Sequence, residues 1–312
     1  MKRLLTLLII SSTAHCAFSQ DSTANEGPWK RGGIAGLNFS QTYLDNWQGG
    51  GQNAINGTVI LNLFANYSKD KISWDNTFDA AYGLTRLGKV GQLQKTDDRV
   101  EINSKFGYQI PVKKMYWAVL GTFRTQWDNG YDYSVSPSPL ISDPFSPAYV
   151  LIGTGIDYKP SDAFSAYLSP ATAKITIVDN QRLADAGAFG VEAAEYDSIT
   201  GALITPGQTM RYEVGAYLKL AYSKEIVKNV QLNTKADFFM NYLENVGNID
   251  VNWETLIAMK INEYLSASIS THLIYDDDIK IAVDNNDDGI IDAVGPRVQF
   301  KEVFSLGIQY QF

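Results

Sequence analysis

The sequence has no apolar run long enough to form a membrane-spanning helix, which needs about 20 such residues. It contains a single cysteine, Cys16, so a fold held together by disulfides within the chain is excluded. Basic residues number 26 against 34 acidic ones. They form no stripe, and nucleic acid is therefore not an expected partner.

The first 19 residues have the composition of a secretory signal peptide. A charged start, Met1-Lys2-Arg3, precedes the apolar segment 4–10, and small residues occupy 17 and 19. We expect cleavage after Ser19 or Gln20. Lipidation of Cys16 is an alternative, but the preceding position holds His15 where a small residue is expected. Removing the two basic residues of this segment leaves 26 − 2 = 24 basic and 34 acidic residues, a net charge of −10.

The end of the chain alternates between apolar and mostly polar residues. Every second residue from Phe300 to Phe312 is large and apolar, except Glu302. This period of two predicts a strand with one apolar face. The segment resembles the C-terminal signal strand of bacterial outer-membrane barrels, which implies recognition by the barrel-assembly machinery. The residues of this assembly signal are Phe304, Leu306, Ile308, Tyr310 and Phe312.

The same alternation recurs in about twelve runs, most of them near 12 residues, long enough to cross a bilayer when tilted. Short turns fall near 69, 112, 161, 226 and 262, and long loops near 49, 91, 137, 193, 246 and 287. Aromatic residues gather near the strand ends, as in interfacial girdles. These features predict an all-β fold, a transmembrane antiparallel up-and-down barrel of about twelve strands with short periplasmic turns and long extracellular loops. Its expected location is the bacterial outer membrane, in contact with lipid.

Three segments follow from this pattern. Residues 1–19 form the signal peptide, 20–33 a flexible periplasmic segment, and 34–312 the barrel. Within the barrel, Pro170 interrupts the alternation of its strand. Because proline cannot donate to a sheet ladder, we expect a β-bulge there. A short helix is predicted near Gln181 to Ala188.

Two stretches resemble an uncharacterised family of outer-membrane β-barrels from Bacteroidota. The first is Gly32-Gly33-Ile34-Ala35-Gly36-Leu37-Asn38-Phe39-Ser40-Gln41 with Trp47, and the second is Gly295-Pro296-Arg297-Val298-Gln299-Phe300. The resemblance implies the fold and the location, and it implies no reaction.

An acidic stretch before the last strand matches an EF-hand-like calcium loop. Alternate carboxylates and amides can converge on one hard cation, and Gly289 permits the sharp bend. The twelfth position, usually a bidentate glutamate, is Gly295, so we expect weak binding of structural Ca²⁺ in an extracellular loop. A solvated acidic turn is the alternative, and no other cofactor is predicted. The expected ligands are Asp284, Asn286, Asp288, Ile290 through its carbonyl, and Asp292.

His272 is the only histidine after the signal peptide, and Ser270 lies two residues away. A Ser/His pair on a twelve-stranded barrel resembles the arrangement in outer-membrane phospholipases, so a lipid hydrolase is a remote alternative. Both side chains are predicted to face the lumen, and no G-x-S-x-G motif occurs. We therefore expect a structural histidine and no enzymatic activity.

The predicted lumen carries charges of both signs. These can line a solvated channel for small polar solutes, or they can pair and fill the interior. In the second case the barrel does not transport and acts as a scaffold or accessory subunit of an envelope complex. The sequence leaves both functions open. The predicted lumen residues are Asp75, Asp79, Arg99, Glu101, Lys105, Arg211, Glu213, Lys219, Lys235, Asp237, Glu254, Lys260, His272 and Lys301.

Overall fold

The computed structural model describes residues 27–43, 53–88, 91–133, 136–262, 265–283 and 292–312. Twelve of its eighteen strands form one closed antiparallel barrel. Each barrel strand pairs with the barrel strands before and after it in the chain, and the first pairs with the last. The predicted fold class and strand number are confirmed. The barrel strands are β1 (Trp29–Thr42), β2 (Ala54–Lys69), β3 (Ile72–Leu87), β4 (Leu93–Gln109), β5 (Met115–Thr125), β8 (Ala148–Ser161), β9 (Phe164–Ile177), β12 (Met210–Val227), β13 (Val230–Asn241), β14 (Asp250–Lys260), β15 (Leu265–Tyr275) and β18 (Gln299–Gln311).

The six other strands form two-stranded hairpins inside three long loops, all at the end of the barrel opposite the start of β1 and the end of β18. The loop after β9 also holds the helix α1 (Gln181–Asp185), close to the predicted position, and a 3₁₀ turn at Ala188–Gly190. The hairpin strands are β6 (Gly130–Tyr131), β7 (Leu140–Ser142), β10 (Glu195–Tyr196), β11 (Leu203–Thr205), β16 (Lys280–Val283) and β17 (Ala293–Pro296).

The first strand begins at Trp29, five residues before the predicted barrel start at Ile34. Residues 29–33 continue the ladder to β2, with Trp29 opposite Tyr67 and Gly33 opposite Leu63. This pairing places 29–33 in the barrel wall and not in the predicted flexible segment. The predicted signal peptide, 1–19, lies outside the described residues.

The outer surface of the barrel is apolar. Outward residues of neighbouring strands lie side by side, and many stay largely exposed, as with Val59 at 55% and Phe304 at 69%. Aromatic rings cluster at the end of the barrel where β1 begins. There the Trp29 ring centroid lies 5.2 Å from that of Tyr67 and 5.8 Å from that of Trp74. Such a belt with an aromatic border matches the hydrocarbon layer and its interface. No helix in the described ranges is long and apolar enough to cross a membrane.

The predicted bulge lies at Pro170. Gly215 of β12 is opposite Thr172 and Tyr217 is opposite Ser169, so Pro170 and Ala171 together face a single residue of β12. The ladder to β8 shifts at the same place. The shift restores the inward orientation of polar residues on the far side of the proline.

The barrel closes between its first and last strands over a short ladder. β1 and β18 pair at five positions, from Ile34 opposite Gln311 to Asn38 opposite Gly307. Beyond these, Gly33 and Phe312 exchange two backbone hydrogen bonds, of 2.8 and 3.1 Å. Phe312 is therefore part of the closure.

Candidate functional site in the barrel lumen

A network of charged side chains crosses the middle of the lumen. Glu101 on β4 is fully buried and accepts from Arg124 of the neighbouring strand β5, with an N–O distance of 2.7 Å. The same carboxylate pairs with Lys235 of β13, on the opposite wall, at 3.0 Å. Arg99 of β4 reaches Glu254 of β14 at 2.6 Å. Because β4 and β13 are five strands apart in the barrel order, these ion pairs join opposite walls.

His272 and Asn252 complete this network. His272 Nε2 lies 2.6 Å from the terminal amide of Asn252 and 3.9 Å from a Glu254 oxygen. One amide orientation satisfies both neighbours of Asn252. In it the NH₂ donates to His272 Nε2, and the oxygen accepts from the Arg124 guanidinium at 2.9 and 3.0 Å. His272 therefore contacts members of the network through its Nε2 atom.

A second group of charges lies nearer the short-turn end. Lys105 of β4 pairs with the buried Asp157 of β8 at 2.7 Å. Lys159, also on β8, contacts both Asp157 and Asp75 of β3. The Lys105–Asp157 pair spans β5, and the Lys159–Asp75 pair spans β5 and β4, so side chains also occupy this level of the lumen.

A third group lies at the long-loop end. Lys174 of β9 pairs with Asp250 at 2.8 Å and with the buried Glu213 at 3.3 Å. Arg211 contacts Asp278 of the loop after β15 at 2.7 Å, and it donates to the Gly190 carbonyl at 3.3 Å. The loops after β9 and β15 therefore pack onto the extracellular mouth of the lumen.

The remaining predicted lumen residues are placed individually. Asp79 accepts from Asn62 at 2.6 Å. Lys219 lies 3.6 Å from Asp237, and Lys301 pairs with Asp97 at 3.0 Å. Lys260 lies exposed at the last position of β14, at the short-turn end.

A buried apolar cluster packs inside one side of the lumen. Its members come from the inward positions of neighbouring strands, and Phe239 also lies under the Lys174 ammonium, 5.0 Å from the ring centroid. Inside a barrel, such a cluster is a packed core and excludes water from its side of the lumen. The cluster consists of Ala118, Leu120, Tyr167, Tyr217 and Phe239, with Leu151 packed against it.

Sequence reasoning missed several members of these networks. Arg124 and Asp157 stand on the polar face of their strands, so the strict alternation could have revealed them. Lys174 was hidden because the bulge at Pro170 shifts the phase of β9. Asp250 is the first residue of its strand, where few preceding residues are available to show the alternation.

The predicted calcium loop lies outside the described residues, except for Asp292, and remains a prediction. The assembly-signal residues are described: Phe304, Leu306, Ile308, Tyr310 and Phe312 all have exposed side chains on the outer face of β18 or at its end. Tyr310 and Phe312 stack with ring centroids 5.8 Å apart.

An anchor ties the loop after β5 to the barrel wall. The Tyr82 hydroxyl of β3 donates to Asp128 Oδ2 at 2.6 Å. This hydrogen bond is the largest cause that lowers the pKa of the Asp128 carboxyl below its ordinary value. A carboxyl whose pKa is lowered on folding stabilises the fold at pH values above its unfolded-state pKa. This contribution is lost as the pH falls through the folded-state pKa.

We therefore expect a pH-dependent effect of Tyr82→Phe. At neutral pH the variant loses up to about 1 kcal/mol of stability, the contribution of one hydrogen bond. The loss disappears at acidic pH, where Asp128 is protonated. Urea unfolding of both proteins at neutral and acidic pH measures the difference. Tyr196→Phe, in an exposed loop hairpin, is the matched control, and an equal loss at both pH values would contradict the assignment.

A closed antiparallel barrel with an apolar outer belt, an aromatic border and a charged interior defines a transmembrane β-barrel. Single-chain barrels of this kind lie in the bacterial outer membrane, and the chain is an outer-membrane β-barrel protein. Two family descriptions match parts of it. Residues 39–131 match "Protein of unknown function (DUF3078)" and residues 177–289 match "Protein of unknown function, DUF481". They fit an uncharacterised outer-membrane barrel family. No curated protein matches the chain.

Solved structures of outer-membrane barrels are similar over most of their length. An outer membrane channel from Pseudomonas putida F1 shares 10% identity over 94% of this chain and 98% of its own, with a TM-score of 0.35. The translocator domain of the autotransporter NalP from Neisseria meningitidis shares 8% identity over 94% and 90%, with a TM-score of 0.39. The CymD monoaromatic hydrocarbon channel shares 12% identity over 92% and 88%, with a TM-score of 0.31.

Proposed function

We propose that this protein is a non-transporting outer-membrane barrel that acts through its extracellular loops as a scaffold or accessory subunit of an envelope complex. One observation carries the proposal: the ion pairs Arg99–Glu254 and Glu101–Lys235 join opposite walls across the lumen. Separating such buried pairs leaves uncompensated charge, which costs several kcal/mol per pair. A solute could pass through the lumen only by separating these ion pairs at this energetic cost.

The packed side of the lumen supports the same proposal. Five apolar side chains from β5, β9, β12 and β13, each at most 5% exposed, pack against each other on this side. His272 has a structural role in this proposal, because its Nε2 atom is engaged by Asn252 within the network. If the protein hydrolyses lipids, a His272→Ala variant that retains the activity would dismiss a catalytic role for this residue.

A channel for small polar solutes is the second candidate, and the other side of the lumen favours it. Several inward positions of β1, β15 and β18 carry small residues, which leave space beside the network. They include Gly36, Ser266, Ser268, Ser270, Ser305 and Gly307.

Conductance in planar lipid bilayers separates the two candidates. We expect the purified, refolded protein to give no discrete conductance steps, because charged side chains cross the lumen. Heat-modifiable migration on a gel confirms that each sample is folded. Regular steps from the folded wild-type protein would contradict the proposal and favour the channel.

A further inference from the structure

The two strands that close the barrel separate over the extracellular half of their length. Their last paired position is Asn38 opposite Gly307. Continuing the same register would place Phe39 opposite Leu306 and Ser40 opposite Ser305. No such pairs form, although β1 extends to Thr42 and β18 begins at Gln299.

The backbone along this gap has polar groups directed into it. Gly33 and Phe312 form a reciprocally hydrogen-bonded pair, and such pairs alternate along an antiparallel ladder. The N–H and C=O groups of Phe39 on β1, and of Leu306, Phe304 and Glu302 on β18, therefore point toward the missing partner. No described strand pairs with them there. Unpaired backbone groups in hydrocarbon cost several kcal/mol each, so the gap must be filled by groups that form hydrogen bonds.

The gap has an apolar side and a polar side. Toward the membrane, Phe39, Phe304 and Leu306 are 54%, 69% and 47% exposed. Toward the lumen, Ser40 and Ser305 are small and polar. An occupant must therefore be amphiphilic.

Glu302 adds a charge to the gap. It lies on the outer face of β18 between Phe300 and Phe304, opposite Thr271 of β15. Within the described part of the chain, no cation lies within ion-pairing distance of its carboxylate. A carboxylate on the membrane-facing side of a barrel strand is unfavourable without a compensating cation.

We propose that the extracellular half of the β1–β18 seam is a lateral window that binds a zwitterionic phospholipid of the ethanolamine type. Its phosphate and ester oxygens accept from the free backbone N–H groups. Its ammonium group donates to the free carbonyls and to Glu302, and its acyl chains lie against Phe39, Phe304 and Leu306. A purely anionic headgroup lacks the ammonium that Glu302 requires.

Cysteine cross-linking tests whether the window is open. In a Cys16→Ser background, Ser305→Cys is combined with Ser268→Cys, because Ser268 is the paired partner of Ser305 on β15. In the second double variant it is combined with Ser40→Cys, because Ser40 would face Ser305 if β1 and β18 paired along the whole seam. We expect the Ser268/Ser305 pair to oxidise at least about tenfold faster, because disulfides need Cα atoms within about 7 Å. Comparable rates would show a closed seam and overturn the proposal.

Photo-labelling tests the occupant in the same refolded protein. The probe is phosphatidylethanolamine with a photoreactive group near its ester linkage, in vesicles of either phosphatidylethanolamine or phosphatidylglycerol. We expect labelled peptides from both seam edges, and we expect Glu302→Gln to reduce the labelling several-fold in heat-modifiable, folded protein. Labelling that is absent from the seam, or unchanged by Glu302→Gln, would overturn the lipid assignment and favour a protein strand in the gap.

Discussion

Replacing Glu101 by glutamine lowers the free energy of unfolding by about 3–5 kcal/mol, the cost of breaking a buried ion pair by removing one partner. Glu101 is fully buried and is the carboxylate that holds Arg124 and Lys235 together. Without its charge, Arg99, Arg124 and Lys235 face the single carboxylate of Glu254. Uncompensated positive charge then remains in the centre of the lumen.

Urea unfolding in lipid vesicles, followed by heat-modifiable migration, measures this loss. Glu195→Gln is the matched control, because the same change is made in an exposed loop hairpin. We expect its stability to stay within about 0.5 kcal/mol of the wild type, as for most surface substitutions. Equal stabilities of the two variants would show that the Glu101 carboxylate does not hold the network.

Removing four charged side chains of the central network opens the barrel to ions. In the fourfold variant Glu101→Ala, Arg124→Ala, Lys235→Ala and Glu254→Ala, two positive and two negative side chains are lost, so the net charge is unchanged. The direct ion pair between β4 and β13 is then lost. We expect discrete conductance steps in planar bilayers where the wild-type protein gives none, because the interior of a twelve-stranded barrel exceeds what small side chains can fill.

A surface variant with the same residue types controls for the number and charge of the substitutions. Glu192→Ala, Arg182→Ala, Lys224→Ala and Glu195→Ala remove the same charges from exposed positions, and this variant should remain silent. A silent fourfold lumen variant that is folded would show that the apolar cluster or the outer groups of ion pairs close the lumen without the central network.

The orientation of the strands could be predicted from the sequence because it depends on local alternation alone. The two solvents of a barrel wall, lipid outside and polar groups inside, impose a period of two on every strand. Pro170 could be placed as a bulge for a similarly local reason, since it lacks a donor for the ladder. Hairpin strands of two to four residues, such as Gly130–Tyr131, are too short to show a period.

The partners across the lumen could not be predicted. Arg99 and Glu254 are 155 residues apart, and their meeting depends on strand number, tilt and register together. Whether the charges line a solvated channel or pair across it therefore stayed open at the level of sequence. The short seam between β1 and β18 was equally hidden, because both strands alternate over their full length while pairing over less than half of β18.

The reciprocal hydrogen bonds between Gly33 and Phe312 also bear on how the barrel forms. Every other barrel ladder joins strands that follow closely in the chain, but this one joins its first and last strands. Closing a loop of that length carries the largest entropy cost of any contact in the fold, and non-local contacts of this kind form late. A few residue pairs toward the periplasmic end therefore close the barrel, and we expect the contacts of Phe312 to form late in folding.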